Sequence, residues 1–318
     1  MPHHAQRRTL RAHIGAIRSA VTQASEAAAA KAYCRLPPRS GSASEAIRAS
    51  HGKTAQLAVV TFNQPKLLEW QIESLHDYFS DSYTLLVADN STDADSSRRI
   101  EDICANTGVT YIRLRPRPRL AQAGGSASHG LALNWLYTNV LQHSQSEYLG
   151  LLDHDIFPIA PVSYAEVVGR QGAYGHFQMA SALPFYWPGL HFFAPDYFSG
   201  GTPNFLPGTL GGAYGDTGSR NWRDYYSALD LSRLETFTQE DVRMDDPSTP
   251  FIKTGDLTTF VSEAFTLFDG DWVHMINGSN WAPSDQSSKL RQLQAVYLRD
   301  RGPAAGEADV RDSAPSDA

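Results

Sequence analysis

The chain has 318 residues, 42% of them hydrophobic and 19% charged, with a formal net charge of -7. That length suits one large domain or two small ones with a sizeable core, and the acidic balance excludes a bulk nucleic-acid binder. No stretch approaches the ~20 apolar residues of a membrane span, and the N-terminus carries no apolar signal core.

The charge is unevenly spread. Residues 1–53 hold nine Lys/Arg against Glu26 and Glu45, a balance of +7, so the remainder carries -14 to give the net -7. Leu10, Ile14, Ile17 and Val21 recur at helical spacing, with Arg7, Arg11 and Arg18 on another side. This reads as a basic amphipathic helix within 1–34. Such a helix either meets an anionic membrane surface from the cytoplasmic side or packs on its own domain or a partner chain. Residues 35–54, rich in Pro, Ser and Gly, read as a linker, so removing residues 1–50 is expected to leave the domain folded. Cys34 and Cys104 lack ligand-like spacing and read as ordinary reduced thiols. The two Asn-x-Ser/Thr sequons, at Asn90 and Asn277, read as chance matches in a cytoplasmic protein.

The ordered pattern starts with "LAVVT" from Leu57, a short apolar run expected as a buried strand, and a helix follows from Pro65. "YTLLVAD" is a second strand, ended by the turn and cap cluster "NSTD" before a polar helix reaching about Asn106. "VTYIRL" is a third strand. "GGSASHG" opens an apolar helix, and "YLGLL" is a fourth strand, broken by "DHDIFP". Strands alternating with helices predict an α/β fold, with a mostly parallel, Rossmann-like sheet covered by helices on both faces. Ligands of such sheets bind at the carboxyl ends of the strands. Residues 55–160 form the predicted ligand-binding half and 161–300 a second half, dense in aromatics between Tyr174 and Phe205. The polar tail 301–318 is expected to be disordered.

The sharpest chemical signal is Asp153-His154-Asp155. Two carboxylates two residues apart on extended backbone point the same way and converge on one hard cation, with His154 turned away between them. Magnesium- or manganese-like ions keep several waters and take one or two carboxylates plus phosphate oxygens.

"VVTFNQP", "LLVADNSTD", the glycine loop at 124–130 and "YLGLLDHD" occur in one order. This series resembles the inverting family 2 glycosyltransferases of the GT-A fold over about residues 57–160, and "AGGSASHG" is similar to a stretch in relatives handling rhamnose or galactofuranose. The resemblance implies transfer of a sugar from a nucleotide-diphosphate donor to a sugar or lipid-linked sugar acceptor, in cell-surface polysaccharide or glycoconjugate synthesis, with Mn2+ or Mg2+ on the diphosphate. It places Thr61, Phe62 and Asn63 at the base pocket and Asp89 at the base or ribose. Gly124, Gly125 and Ser126 would let the backbone approach the donor. Asp153 would lie near the ribose and metal, Asp155 would bind the metal, and a late His, here His274, would complete the metal shell. Residues 161–300 become the acceptor-binding half. The chain departs from the family at the catalytic base, for which Asp216 and Asp241 are both candidates and Asp216 is preferred for its flanking glycines. Aromatics at 185–198 either stack on the acceptor or pack the core, and the arginines 113–119 read as solvated charge. The competing readings are a sugar nucleotidyltransferase, which would want a Gly-rich loop with Arg after the first strand, and a non-catalytic sugar- or nucleotide-binding relative of the fold.

Overall fold

The computed structural model describes residues 24–117, 125–178, 183–210, 213–243 and 264–275, together with 291 and 293. A six-stranded sheet forms its centre, in the order β3-β2-β1-β4-β7-β6. The members are β1 Ala55–Thr61, β2 Tyr83–Asp89, β3 Thr110–Arg113, β4 Tyr148–Asp153, β6 Ala173–Gln178 and β7 Phe185–Phe193. β3, β2, β1 and β4 run parallel, and β7 turns antiparallel against both β4 and β6. β1 is buried at every residue, as a central strand covered on both faces must be. The expected α/β class with a mostly parallel, helix-flanked sheet is what the chain forms.

Helices α3 Pro65–Tyr78, α4 Ala94–Thr107 and α5 Gly125–Asn139 fill the crossovers. Asp93 caps α4 by accepting from the Ser96 N–H at 2.7 Å, and Gly108 closes it in the left-handed conformation. α5 is apolar on nearly all sides because it is buried on nearly all sides, from Gly130 through Tyr137. It lies so close to the chain at Phe205 that a Cβ on Gly130 would collide with the Phe205 carbonyl. Asn134 pins the same contact by accepting from the Phe205 N–H at 2.8 Å.

The sequence division at residue 160 is not a break in the sheet, because β6 and β7 complete it from the far side. β5 Ile156–Pro158 leaves it to join a second sheet, ordered β10-β11-β12-β5, with β10 Gln239–Arg243, β11 Ala264–Phe268 and β12 Trp272–His274. Between the sheets the chain makes only short helical turns among these described residues, Ser219–Asn221, Trp222–Tyr226 and Leu231–Arg233.

The expected linker is also corrected. Residues 24–34 are helical (α1), and α2 Ala43–Ala49 follows. Ala30, Tyr33, Cys34 and Ala46 are buried in the main core. Tyr33 Oη donates to the Arg115 carbonyl at 2.7 Å, Gln56 Nε2 to the Ala46 carbonyl at 2.9 Å, and Glu26 pairs with Arg220. Pro, Ser and Gly here shape a packed strap, since the edge strand β3 needs cover. The amphipathic spacing at 10–21 and the tail 301–318 lie outside the described residues.

Candidate functional site

β4 delivers Asp153 to the carboxyl edge of the sheet, where the chain turns at His154 and Asp155 before entering β5. The convergence of the two carboxylates comes from this turn and not from extended backbone, which corrects the geometric reason given by the spacing alone. α3 braces the turn from below: Gln71 Nε2 donates to the carbonyls of Asp153 (2.6 Å) and Ile156 (2.8 Å). His154 folds back into the protein, its Nδ1 3.3 Å from the Val60 carbonyl.

β12 pairs antiparallel with β5 so that His274 stands opposite Ile156, and the Met275 N–H donates to the Asp155 carbonyl at 2.8 Å. That pairing brings His274 Nε2 to 3.5 Å from Asp155 Oδ1. Asp153, Asp155 and His274 offer ligand atoms that all lie within 4.8 Å of one another. Asp155 is 5% exposed. Burial raises the Asp153 carboxyl well above its ordinary range, and the neighbouring Asp155 charge raises it further, against His274 and His154. A half-buried and a buried carboxylate forced together are what a divalent cation would relieve.

The trio opens on a cavity of about 1110 Å³ along the carboxyl ends of β4, β1, β2 and β3. Its wall includes Phe62 after β1, Asn90–Thr92 after β2, Arg115 and Arg117 after β3, and Gly125, Ser126, Ser128 and His129 on α5. Asp216, Gln178, Trp187 and His274 line it as well. The Asp216 carboxylate is exposed to the cavity, and Oδ1 accepts from the Thr217 N–H at 2.7 Å. Thr217 in turn donates to the Ser126 carbonyl at 3.0 Å, tying this loop to the start of α5. The ring of Trp187 packs against His274 at 4.9 Å between centroids.

The expected site residues thus divide. Phe62, Gly125, Ser126, Asp153, Asp155, His274 and Asp216 meet at one cavity, while Gly124 lies outside the described residues. Thr61 is buried in β1 behind the wall. Asn63 takes a left-handed φ of 54°, and its Oδ1 accepts from the Thr92 and Asp93 N–H groups at 3.0 Å each, so it staples the loops after β1 and β2. Asp89, expected at the base or ribose, is 1% exposed and its carboxylate is engaged by Ser91 N–H, Ser97 Oγ and Tyr111 Oη. It organises the turn that forms the wall instead. Asp241, the other candidate base, sits on β10, accepting from Thr266 Oγ1 at 2.8 Å, and is not among the described residues that line the cavity.

Sequence reasoning missed His129, Arg39 from the supposed linker, and the turn of Arg115 and Arg117 toward the cavity. Burial pushes His129 down to about 4, against the charges of Asp216 and Asp155. Of the aromatics at 185–198, Phe185, Tyr186, Phe192, Phe193 and Phe198 are core, and among the described ones Trp187 alone reaches the cavity.

No family model and no curated protein sequence matches the chain. Solved structures similar to it include the mannosyltransferase PcManGT from Pyrobaculum calidifontis with GDP-Man and Mn2+, at 17% identity, 57% of each chain and a TM-score of 0.33. Another is glucosyl-3-phosphoglycerate synthase from Mycobacterium tuberculosis with Mn2+ and UDP-glucose, at 14% identity over 71% of this chain and 81% of that one, with a TM-score of 0.38. TarS of S. aureus, residues 1–349 with UDP-GlcNAc, is similar at 12% identity over 48% of each chain, with a TM-score of 0.33.

Proposed function

We propose that this protein is a glycosyltransferase that uses a nucleotide-diphosphate sugar and a divalent cation. The carrying observation is the convergence of Asp153, Asp155 and His274 on one point at the carboxyl edge of the sheet, inside a cavity that also exposes Asp216. The residues fit such an ion: two carboxylates suit a hard cation and leave room for phosphate oxygens, and the imidazole favours Mn2+ over Mg2+. When bound, the cation would supply charge neutralisation to the diphosphate as it leaves.

The chain's own groups account for the rest. Phe62 and the loops after β2 and β3 line the part of the cavity that would take the nucleoside, and Arg115 and Arg117 add positive charge there. Trp187 offers an apolar face for a sugar ring. Asp216 is the base that takes the proton from the acceptor hydroxyl as its oxygen bonds to the anomeric carbon and the bond from that carbon to the diphosphate breaks. Attack opposite the leaving group inverts the anomeric centre. The order of "VVTFNQP", "LLVADNSTD" and "YLGLLDHD" along the sequence supports the family 2-like assignment, and with it an acceptor in polysaccharide or glycoconjugate synthesis.

The test is release of nucleoside diphosphate from a panel of nucleotide sugars with Mn2+ present, for the wild type and Asp216→Asn. Metal-dependent turnover lost in the variant supports the assignment. Metal-dependent nucleotide binding without turnover of any donor would point to the non-catalytic reading.

A further inference from the structure

Each carboxylate of the trio has an imidazole on one oxygen. Asp155 Oδ1 faces His274 Nε2 at 3.5 Å, and Asp153 Oδ1 faces His129 Nε2 at 3.3 Å. His274 belongs to the set close enough to share one ion, whereas His129 does not. His129 Nε2 is nevertheless shut off from solvent and makes no hydrogen bond of good geometry. A buried ring nitrogen without a partner is costly, so its position calls for an explanation in the site.

The position is also built with care. His129 lies one helical turn after Gly125 on α5, with its side chain 20% exposed at the cavity. The helix around it is locked: Gly130 abuts the Phe205 backbone, Asn134 holds the Phe205 N–H, and Thr217 grips the Ser126 carbonyl. The imidazole is therefore delivered to Asp153 by a rigid element, which is what a precise polar contact needs.

We infer that His129 is a positioning residue for the cation site: it donates from Nε2 to Asp153 and aims that carboxylate at the ion held by Asp153, Asp155 and His274. Outer partners of this kind fix the orientation of a ligand and raise its affinity for metal. The inference rests on the trio being a cation site, and the experiment separates the two claims.

Mn2+ is titrated into nucleotide-free protein and followed by electron paramagnetic resonance, with the apo melting temperature recorded for each variant. His129→Ala is expected to weaken Mn2+ binding about 10- to 100-fold, the scale for loss of an outer partner. His129→Gln, whose amide N–H reaches a similar point, is expected to restore most of it. Wild-type affinity in His129→Ala overturns the inference while leaving the cation site standing. Failure of a folded His129→Gln to recover any affinity also overturns it, since the ring nitrogen would then act as a ligand itself. No Mn2+ bound by the wild type removes the cation site and the inference together.

Discussion

Replacing Asp155 with Asn puts the charge argument to a quantitative test. The Asp153 and Asp155 ligand oxygens lie within 4.8 Å of each other. At an effective dielectric of about 20, two unit charges at that distance repel by about 3.5 kcal/mol. Burial, and then the Asp155 charge, raise the Asp153 carboxyl well above its ordinary range, so the doubly charged state is already disfavoured in the folded protein. Only a portion, on the order of 1–2 kcal/mol, is left for the substitution to release. Asp155→Asn should therefore raise the melting temperature of the metal-free protein by about 2–4 °C, as about 2 °C per kcal/mol suits a chain of this size. In the wild type, Mn2+ at 100 times its dissociation constant should add about 2.7 kcal/mol by mass action, and in Asp155→Asn that gain should vanish. The assay is thermal unfolding with and without MnCl2 on both proteins. A variant that melts lower than wild type yet keeps the full Mn2+ shift would refute the reasoning, because Asp155 would then be a structural group.

Asp216→Asn should cut turnover by about 100-fold or more while nucleotide affinity stays the same, and Asp241→Asn on β10 should leave turnover near normal; steady-state rates and nucleotide titrations check both. Deleting residues 1–54 should cost the protein its cooperative unfolding, and Tyr33→Ala alone should cost about 3 kcal/mol by denaturant titration, since it empties a core position. His191 is buried with both ring nitrogens unpaired, and burial pushes it down to about 3. Its folded-state pKa is depressed, so the unfolded chain binds the extra proton below the ordinary value of 6.5 and stability is lost as pH falls from there toward 3. His129 acts in the same sense and Asp153 in the opposite one, so the comparison is made variant by variant at each pH. His191→Phe should weaken the acid loss by about 1.4 kcal/mol per pH unit within that window; an unchanged acid slope would show that His191 does not stay neutral.

Local signals carried residues 55–160. The apolar runs of β1, β2 and β4, the Asp93 cap and the Gly108 stop are short-range features, and each element lies where its pattern puts it. Asp153 and Asp155 were visible because the strand that carries them is so plain. What escaped depends on partners distant in sequence. The ring of His129 meets Asp153 only because α5 packs on the chain at Phe205, and His274, named by the resemblance and not by its local sequence, reaches Asp155 through the β5–β12 pairing. Asp89 looked like a ligand contact, but Ser97 and Tyr111 claim its carboxylate, and nothing in the local sequence announces them. The strap 24–54 was misread because small and turn-forming residues serve packed connections as readily as loose ones.

The central claim is that Asp153, Asp155 and His274 hold a divalent cation against a nucleoside diphosphate, and anomalous diffraction at the manganese edge addresses it directly. Crystals grown with Mn2+ and a nucleoside diphosphate should show one strong anomalous peak within about 2.0–2.3 Å of oxygens of both carboxylates and of His274 Nε2, with diphosphate oxygens completing the shell. Nucleotide bound in the cavity with no anomalous peak at this trio, or manganese bound elsewhere in the protein, would contradict it.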